Sequence, residues 1–182
     1  SVKEGHIWVY DESEHYHYVL VQEIYNGKLL FQHGFYQDKS LSQNGDNFID
    51  QTLVSFYEDS SKRSCLILCD PKIEARIQIV QVQIDHKKEL KSPKRGPKSR
   101  QVELASKNAK NALNRLEIEK KNTIEFKEIL TNLQKKCRLK NYPKRIIGVD
   151  ISHLQGTNIV ASAVCFTDGK PDKKSYRKFK IK

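Results

Sequence analysis

Ile146-Ile147-Gly148-Val149-Asp150-Ile151-Ser152-His153-Leu154-Gln155-Gly156-Thr157 is the stretch on which the reading of this chain turns. Ile146 to Val149 is apolar and β-branched, follows Pro143, and predicts a short buried strand. The strand ends in a carboxylate, and a small polar turn follows. A carboxylate at the end of a buried strand is costly to ionise unless something pairs with it. A divalent cation is one such partner, and Asp oxygens are the hard ligands that Mg²⁺ or Mn²⁺ take. Capping of the turn by Asp150 is the plain alternative.

Downstream, Asn158 to Thr167 predicts a second strand and Asp168-Gly169 a turn. Lys174 to Ile181 then alternates Tyr176, Lys178 and Lys180 with Arg177, Phe179 and Ile181, so one face of a third strand should be basic. Upstream, Lys140 to Arg145 reads as a linker. Before it, Ser99 is the expected cap of a long helix to about Leu139, with Val102, Ala105, Ala109, Leu113, Leu116, Phe126, Leu130 and Leu133 as an imperfect apolar stripe. No Pro or Gly interrupts it, and Asn122-Thr123 is the expected break. Its length corresponds to about 60 Å. Lys91 to Arg100 carries Lys91, Lys94, Arg95, Lys98 and Arg100 and no acid, with Pro93, Gly96 and Pro97 keeping it irregular. Such a loop either lies along a phosphate backbone or is a solvated linker.

The first ninety residues carry their own pattern. His6 to Tyr10 reads as a strand, Asp11 to Glu14 as a turn, and Tyr16 to Tyr25 as a second strand. Asn26-Gly27 is a strong signal for a type I′ hairpin, because both positions need positive φ. Lys28 to Tyr36 is then a third strand, and Asp38 to Asp46 a loop. Asp46 or Asn47 can cap a helix from Phe48 to Tyr57, and Ser64 to Cys69 is a fourth strand. In residues 72–91, Ile77, Ile79, Val80, Val82 and Ile84 alternate with Gln, which favours a strand, and helix or strand stays open there. Strand, strand, strand, helix, strand is the opening order of the RNase H-like fold. The pattern also recurs: Asp11 and Asp150 each end an apolar strand, and hairpin turns follow at Asn26-Gly27 and Asp168-Gly169. Asp11 sits beside Glu12 and Glu14 without the Ser-His surroundings of Asp150, so the first copy should not be catalytic.

Composition sets the wider bounds. The 182 residues hold 33 Lys and Arg against 22 Asp and Glu, a net charge of +11, with 37% hydrophobic and 30% charged residues. The pI of about 9.4 points to an anionic partner, most simply nucleic acid. No apolar run approaches the ~20 residues of a membrane span, and no secretory signal opens the chain. The first residue is Ser1, not Met, which reads as a fragment of a longer protein. Cys65, Cys69, Cys137 and Cys165 lack a second close pair for a zinc site and read as buried, reduced thiols, which fits a cytoplasmic location.

The segment GVDISHLQGTNIVASAVCFTDGKPDKKSYRKFKIK resembles the opening of the endonuclease domain of UvrC, the incision subunit of the bacterial UvrABC excinuclease. The resemblance rests on Asp150-Ile151-Ser152-His153, Gln155-Gly156-Thr157, Val160-Ala161-Ser162, Asp168-Gly169-Lys170-Pro171 and Tyr176 to Ile181. Pro93-Lys94-Arg95-Gly96 with Lys98, and Leu104 to Ala109, resemble the family's preceding segment. The family usually has Phe before the motif Asp, where this chain has Val149. The resemblance implies a mixed α/β fold of tandem RNase H-like units: a degenerate one at residues 1–98, a long helix and linker at 99–145, and the N-terminal part of the endonuclease domain at 146–182. It implies metal-dependent phosphodiester hydrolysis of damaged double-stranded DNA with Mg²⁺ or Mn²⁺. Asp150 would be the first catalytic, metal-binding carboxylate and His153 a catalytic candidate in a supporting place. Lys94, Arg95, Lys98, Arg100, Arg177, Lys178 and Lys180 are the DNA-contact candidates. In the family a second Asp, a His and a helix-hairpin-helix module come later, and UvrB binds through a region outside this sequence, so the 182 residues alone are expected to be inactive. A non-catalytic RNase H-like scaffold or DNA-docking module is the rival, and another RNase H-like nuclease or resolvase a third possibility.

Overall fold

The computed structural model describes residues 3–59, 66–83, 89–154 and 158–181. These form two compact units, Ser1–Ile118 and Glu119–Lys182. In the first, β1 (Gly5–Glu12), β2 (Tyr16–Tyr25), β3 (Lys28–Asp38), α1 (Gly45–Tyr57), β4 (Leu66–Cys69), α2 (Glu74–Gln83), β5 (Leu90–Lys91) and the N-terminal half of α3 (Pro97–Lys136) follow in order. The sheet runs β3-β2-β1-β4-β5. β1, β2 and β3 pair antiparallel, and β1–β4 and β4–β5 pair parallel. This mixed α/β sheet has the RNase H-like order expected from the sequence.

Alternation along β1 builds two cores. Trp8 points to the side where Phe48, Ile49, Leu53, Phe56 and Tyr57 of α1 and Ile77 and Val80 of α2 pack. Ile7 and Val9 point to the other side, with Leu20, Leu68 and α3 residues Val102, Ala105, Ala109 and Leu113. The small Ala105 and Ala109, both fully buried, let the helix lie close to the sheet. A buried polar cluster is centred on the Tyr57 hydroxyl, 3.0 Å from both Trp8 Nε1 and His6 Nδ1.

Several boundaries differ from expectation. β1 continues through Asp11 and Glu12, and Asp11 accepts a Lys72 ammonium contact at 3.1 Å. The cap of α1 is Asn44, whose Oδ1 accepts from the Asn47 N–H at 3.1 Å; Asp46 lies inside the helix. α2 is helical despite its alternating apolar residues, because Ile73, Ile77 and Val80 recur at helical spacing and are buried, whereas Ile79 and Val82 are exposed. α3 starts at Pro97, not at a Ser99 cap: a missing N–H and a preset φ suit the first turn, and Gly96 before it has φ +88°. It runs unbroken through Asn122-Thr123, where the Thr123 hydroxyl donates to the Glu119 carbonyl at 2.8 Å. It ends at Lys136, and just beyond it Arg138 takes φ +50°, with Leu139 N–H reaching the Gln134 carbonyl at 2.9 Å. Residues 60–65, including Cys65 and the predicted start of β4, lie outside the described residues. Cys69 and Cys165 are buried free thiols, but Cys137 is exposed. Burial, with Glu74 and Asp70 nearby, pushes the Cys69 thiol up to about 12.

Glu117 ties α3 to the β1–β2 hairpin. Its carboxylate accepts from the Ser13 hydroxyl, from the His15 N–H at 2.9 Å, and meets His15 Nδ1 at 2.7 Å. Burial raises its pKa, but these hydrogen bonds outweigh that and hold it below the usual value. A depressed carboxylate contributes stability above its unfolded pKa and loses it as pH falls through the folded one. Glu117→Gln is therefore expected to cost about 1–2 kcal/mol at pH 7. The cost should shrink as the pH is lowered below about 4.5. Urea denaturation at several pH values measures it, and an equal cost at every pH would contradict the assignment.

The second unit holds the C-terminal part of α3, then β6 (Arg145–Leu154), β7 (Asn158–Thr167), β8 (Lys170–Pro171), a 3-10 turn at Lys173–Ser175 and β9 (Arg177–Ile181). β6 and β9 flank β7, both antiparallel to it. Asp168 and Gly169 form the turn with φ +50° and +78°, and a Cβ on Gly169 would lie 2.7 Å from the Phe126 ring. Glycine is needed there on both counts. Each unit thus has a three-stranded antiparallel meander. Gly27 and Gly169 are 142 residues apart, and 142 residues before Ser162 lies Leu20. Ser162 pairs with Asp150 and Leu20 with Val9. Counted from the hairpins, the first unit therefore has buried Val9, not Asp11, where the second has Asp150.

Candidate active site

β6 is ten residues long, and Asp150 lies in its middle. The short buried strand ending in a carboxylate is corrected on both points. Ile147, Val149 and Ile151 are 57%, 65% and 55% exposed, and Asp150 is exposed too; β6 is an edge strand of its sheet.

Register decides which side chains meet. Asp150 pairs with Ser162, and Ser162 with Lys178. Ser152 pairs with Val160, and Val160 with Lys180. Directly paired residues in a sheet project to the same face, so these six share one. Together with Ala161 and Phe179 they line an open groove of ≈ 520 Å³. Ser152 Oγ donates to Asp150 Oδ2 at 3.2 Å, which orients the carboxylate. The polar turn expected after Asp150 does not begin at Ser152, which lies in the strand, and its i, i+2 spacing from Asp150 is the sequence signal for the contact.

The other candidates divide. Arg177 pairs with Ala163 on the opposite face, and its Nη1 donates to the carbonyls of Lys174 and Tyr176 at 2.9 and 2.8 Å. The sequence-based grouping of Arg177 with Lys178 and Lys180 does not extend to this groove. The backbone of His153 pairs with Ile159, while its side chain lies outside the described residues, as do Gln155, Gly156 and Thr157. Lys94, Arg95, Lys98 and Arg100 belong to the first unit, with Lys94, Arg95 and Arg100 exposed and Lys98 half-buried at the start of α3.

Among the described residues no group of three or more His, Cys, Asp or Glu is placed to hold a metal. Mg²⁺ is commonly held by one or two carboxylates, with waters and substrate phosphates filling the other positions. One exposed carboxylate with a hydrogen-bonded oxygen fits one such ligand position. No described helix is long and apolar enough to cross a membrane.

Two family models match the chain. The UvrC ribonuclease H-like domain matches residues 7–116, and the UvrC RNase H endonuclease domain matches residues 134–182. The chain belongs to the UvrC family. It is 33% identical over 169 residues to UvrABC system protein C of Methanosarcina barkeri, covering 90% of this chain and 29% of that protein. It is 31% identical over 165 residues to that of Gemmatimonas aurantiaca, covering 90% and 26%. With the protein from Prochlorococcus marinus strain NATL2A it shares 34% over 170 residues, covering 90% and 26%. This UvrC-family chain thus spans between a quarter and a third of the length of these relatives. The second family match contains the whole Asp150 groove.

Proposed function

We propose that this chain is part of the incision subunit of a UvrABC-type excinuclease, and that Asp150 is a catalytic carboxylate for cutting one strand of damaged DNA. The observation that supports the reading best is the row Asp150–Ser162–Lys178, with Lys180 in the next row: an oriented acid on β6 and two lysines on β9, sharing one open sheet face across β7. Asp150 would hold Mg²⁺ or Mn²⁺, which when bound activates water and neutralises the leaving oxygen. Ser152 keeps the carboxylate oriented, and Lys178 and Lys180 hold the phosphate backbone against it. Lys94, Arg95, Lys98 and Arg100 would add backbone contacts from the basic loop, and His153 would support the site. UvrB is the expected protein partner, through sequence outside these residues. The chain is read as a degenerate RNase H-like unit at 1–98, helix and linker at 99–145, and the beginning of the endonuclease domain at 146–182. In the first, Val9 and the packed α3 occupy the place of an acidic site.

Asp150→Asn in the full-length parent tests the proposal: incision should be lost while DNA binding persists. The 182-residue chain alone, with one carboxylate among the described groove residues, is expected to leave damaged DNA uncut in Mg²⁺ or Mn²⁺; nicking by the purified chain that Asp150→Ala abolishes would refute that.

A further inference from the structure

We propose that Lys178 and Lys180 hold two successive phosphates of the strand being cut, Lys178 the scissile phosphate and Lys180 its neighbour. The assignment rests on the catalytic reading of Asp150 given above. Its basis is the register. Asp150, Ser162 and Lys178 form one row across β6, β7 and β9, and Ser152, Val160 and Lys180 form the adjacent row. Two residues along a strand advance about 7 Å, so the two ammonium groups are spaced to meet different phosphates of one strand. Phe179, between the two lysines, pairs with Ala161; alternation along β9 sends its side chain and that of Arg177 to the opposite face, although Ala161 and Phe179 also border the groove. Both lysines are exposed, and neither has a carboxylate partner among the described residues. A nucleic-acid strand running along β9 therefore meets an ammonium at each phosphate step, but meets Asp150 only in the row of Lys178.

The two lysines should differ in what they do. Negative charge redistributes on the phosphate that is cut, and an ammonium beside it binds the transition state more tightly than the substrate. The neighbouring phosphate keeps its charge throughout, so an ammonium there contributes uniform binding. Lys178 is thus assigned a catalytic role and Lys180 a positioning role in holding the strand in register.

The test uses the full-length parent with its partner proteins and a lesion-bearing duplex. Lys178→Gln should lower kcat by roughly 10²-fold. Lys180→Gln should weaken binding about tenfold, lower the salt dependence by about one phosphate contact, and leave kcat within about twofold. Lys178→Arg should restore much of the lost turnover. A single neutral methylphosphonate is then placed beside the cut site, on either side in turn. On one side it should weaken binding by wild type and by Lys178→Gln, yet leave Lys180→Gln unaffected. Identical responses of the two variants to the neutral linkage, or loss of turnover in Lys180→Gln but not Lys178→Gln, would overturn the assignment. Incision that survives Asp150→Asn would sink the underlying catalytic reading instead. Incision lost in Asp150→Asn with both lysines behaving alike would sink this assignment alone.

Discussion

Asp150→Asn in the full-length parent is expected to lower strand incision by roughly 10³-fold, the equivalent of about 4 kcal/mol of transition-state stabilisation. The substitution is nearly isosteric. The amide oxygen can still accept from Ser152 Oγ, which lies 3.2 Å from Asp150 Oδ2, and exposure of the position leaves β6 undisturbed. Only the charge is removed. Lys178 and Lys180 remain on the same face, so DNA affinity and its salt dependence should be kept, or rise slightly as a repelling carboxylate is lost. Gel-based incision and binding assays on the same duplex separate the two effects. Full incision by the Asn variant would favour a scaffold or DNA-docking role for these units. A parallel fall of binding and incision would place Asp150 in DNA docking.

The second large effect is on stability. Trp8→Ala should destabilise the first unit by about 3–5 kcal/mol, a large part of the stability of an ordinary domain. Trp8 is fully buried, its ring meets Phe56 edge-on at 5.0 Å, and its Nε1 donates to the Tyr57 hydroxyl at 3.0 Å. Removing it opens a cavity between β1 and α1 and takes away one of the partners of a buried hydroxyl. Trp8→Phe keeps most of the volume and should cost less. Urea unfolding of the chain followed by circular dichroism measures both. A cost below about 1 kcal/mol for the Ala variant would mean that α1 does not pack on this strand as described.

Local signals marked where most elements lie but not what they pack against. Tyr16 to Tyr25 is β2 from end to end, and Asn26-Gly27 turns with φ +48° and +73°, because positive φ is a demand on those two residues alone. Residues 74–83 could not be settled in the same way: their apolar pattern suits strand and helix alike, and burial of Ile77 and Val80 against α1 decides it. The break predicted at Asn122-Thr123 fails because both residues have only modestly low helix propensity, and a side-chain bond to the preceding turn accommodates Thr123. At the groove, Asp150 was legible from its motif, but its exposure was not, since exposure depends on what packs over the face of β6.

By itself the sequence determined the order of strands and helices, the hairpin turns, the basic character and the family, all of which follow from the properties of neighbouring residues and from a motif. Only the tertiary structure decided that Lys178 and Lys180, and not Arg177, share a face with Asp150, and that Val9 lies at the corresponding place in the first unit. The physical reason is that side chains alternate along each strand, so the face a residue joins is settled by the hydrogen-bonded register between strands, and that register is a property of no single segment.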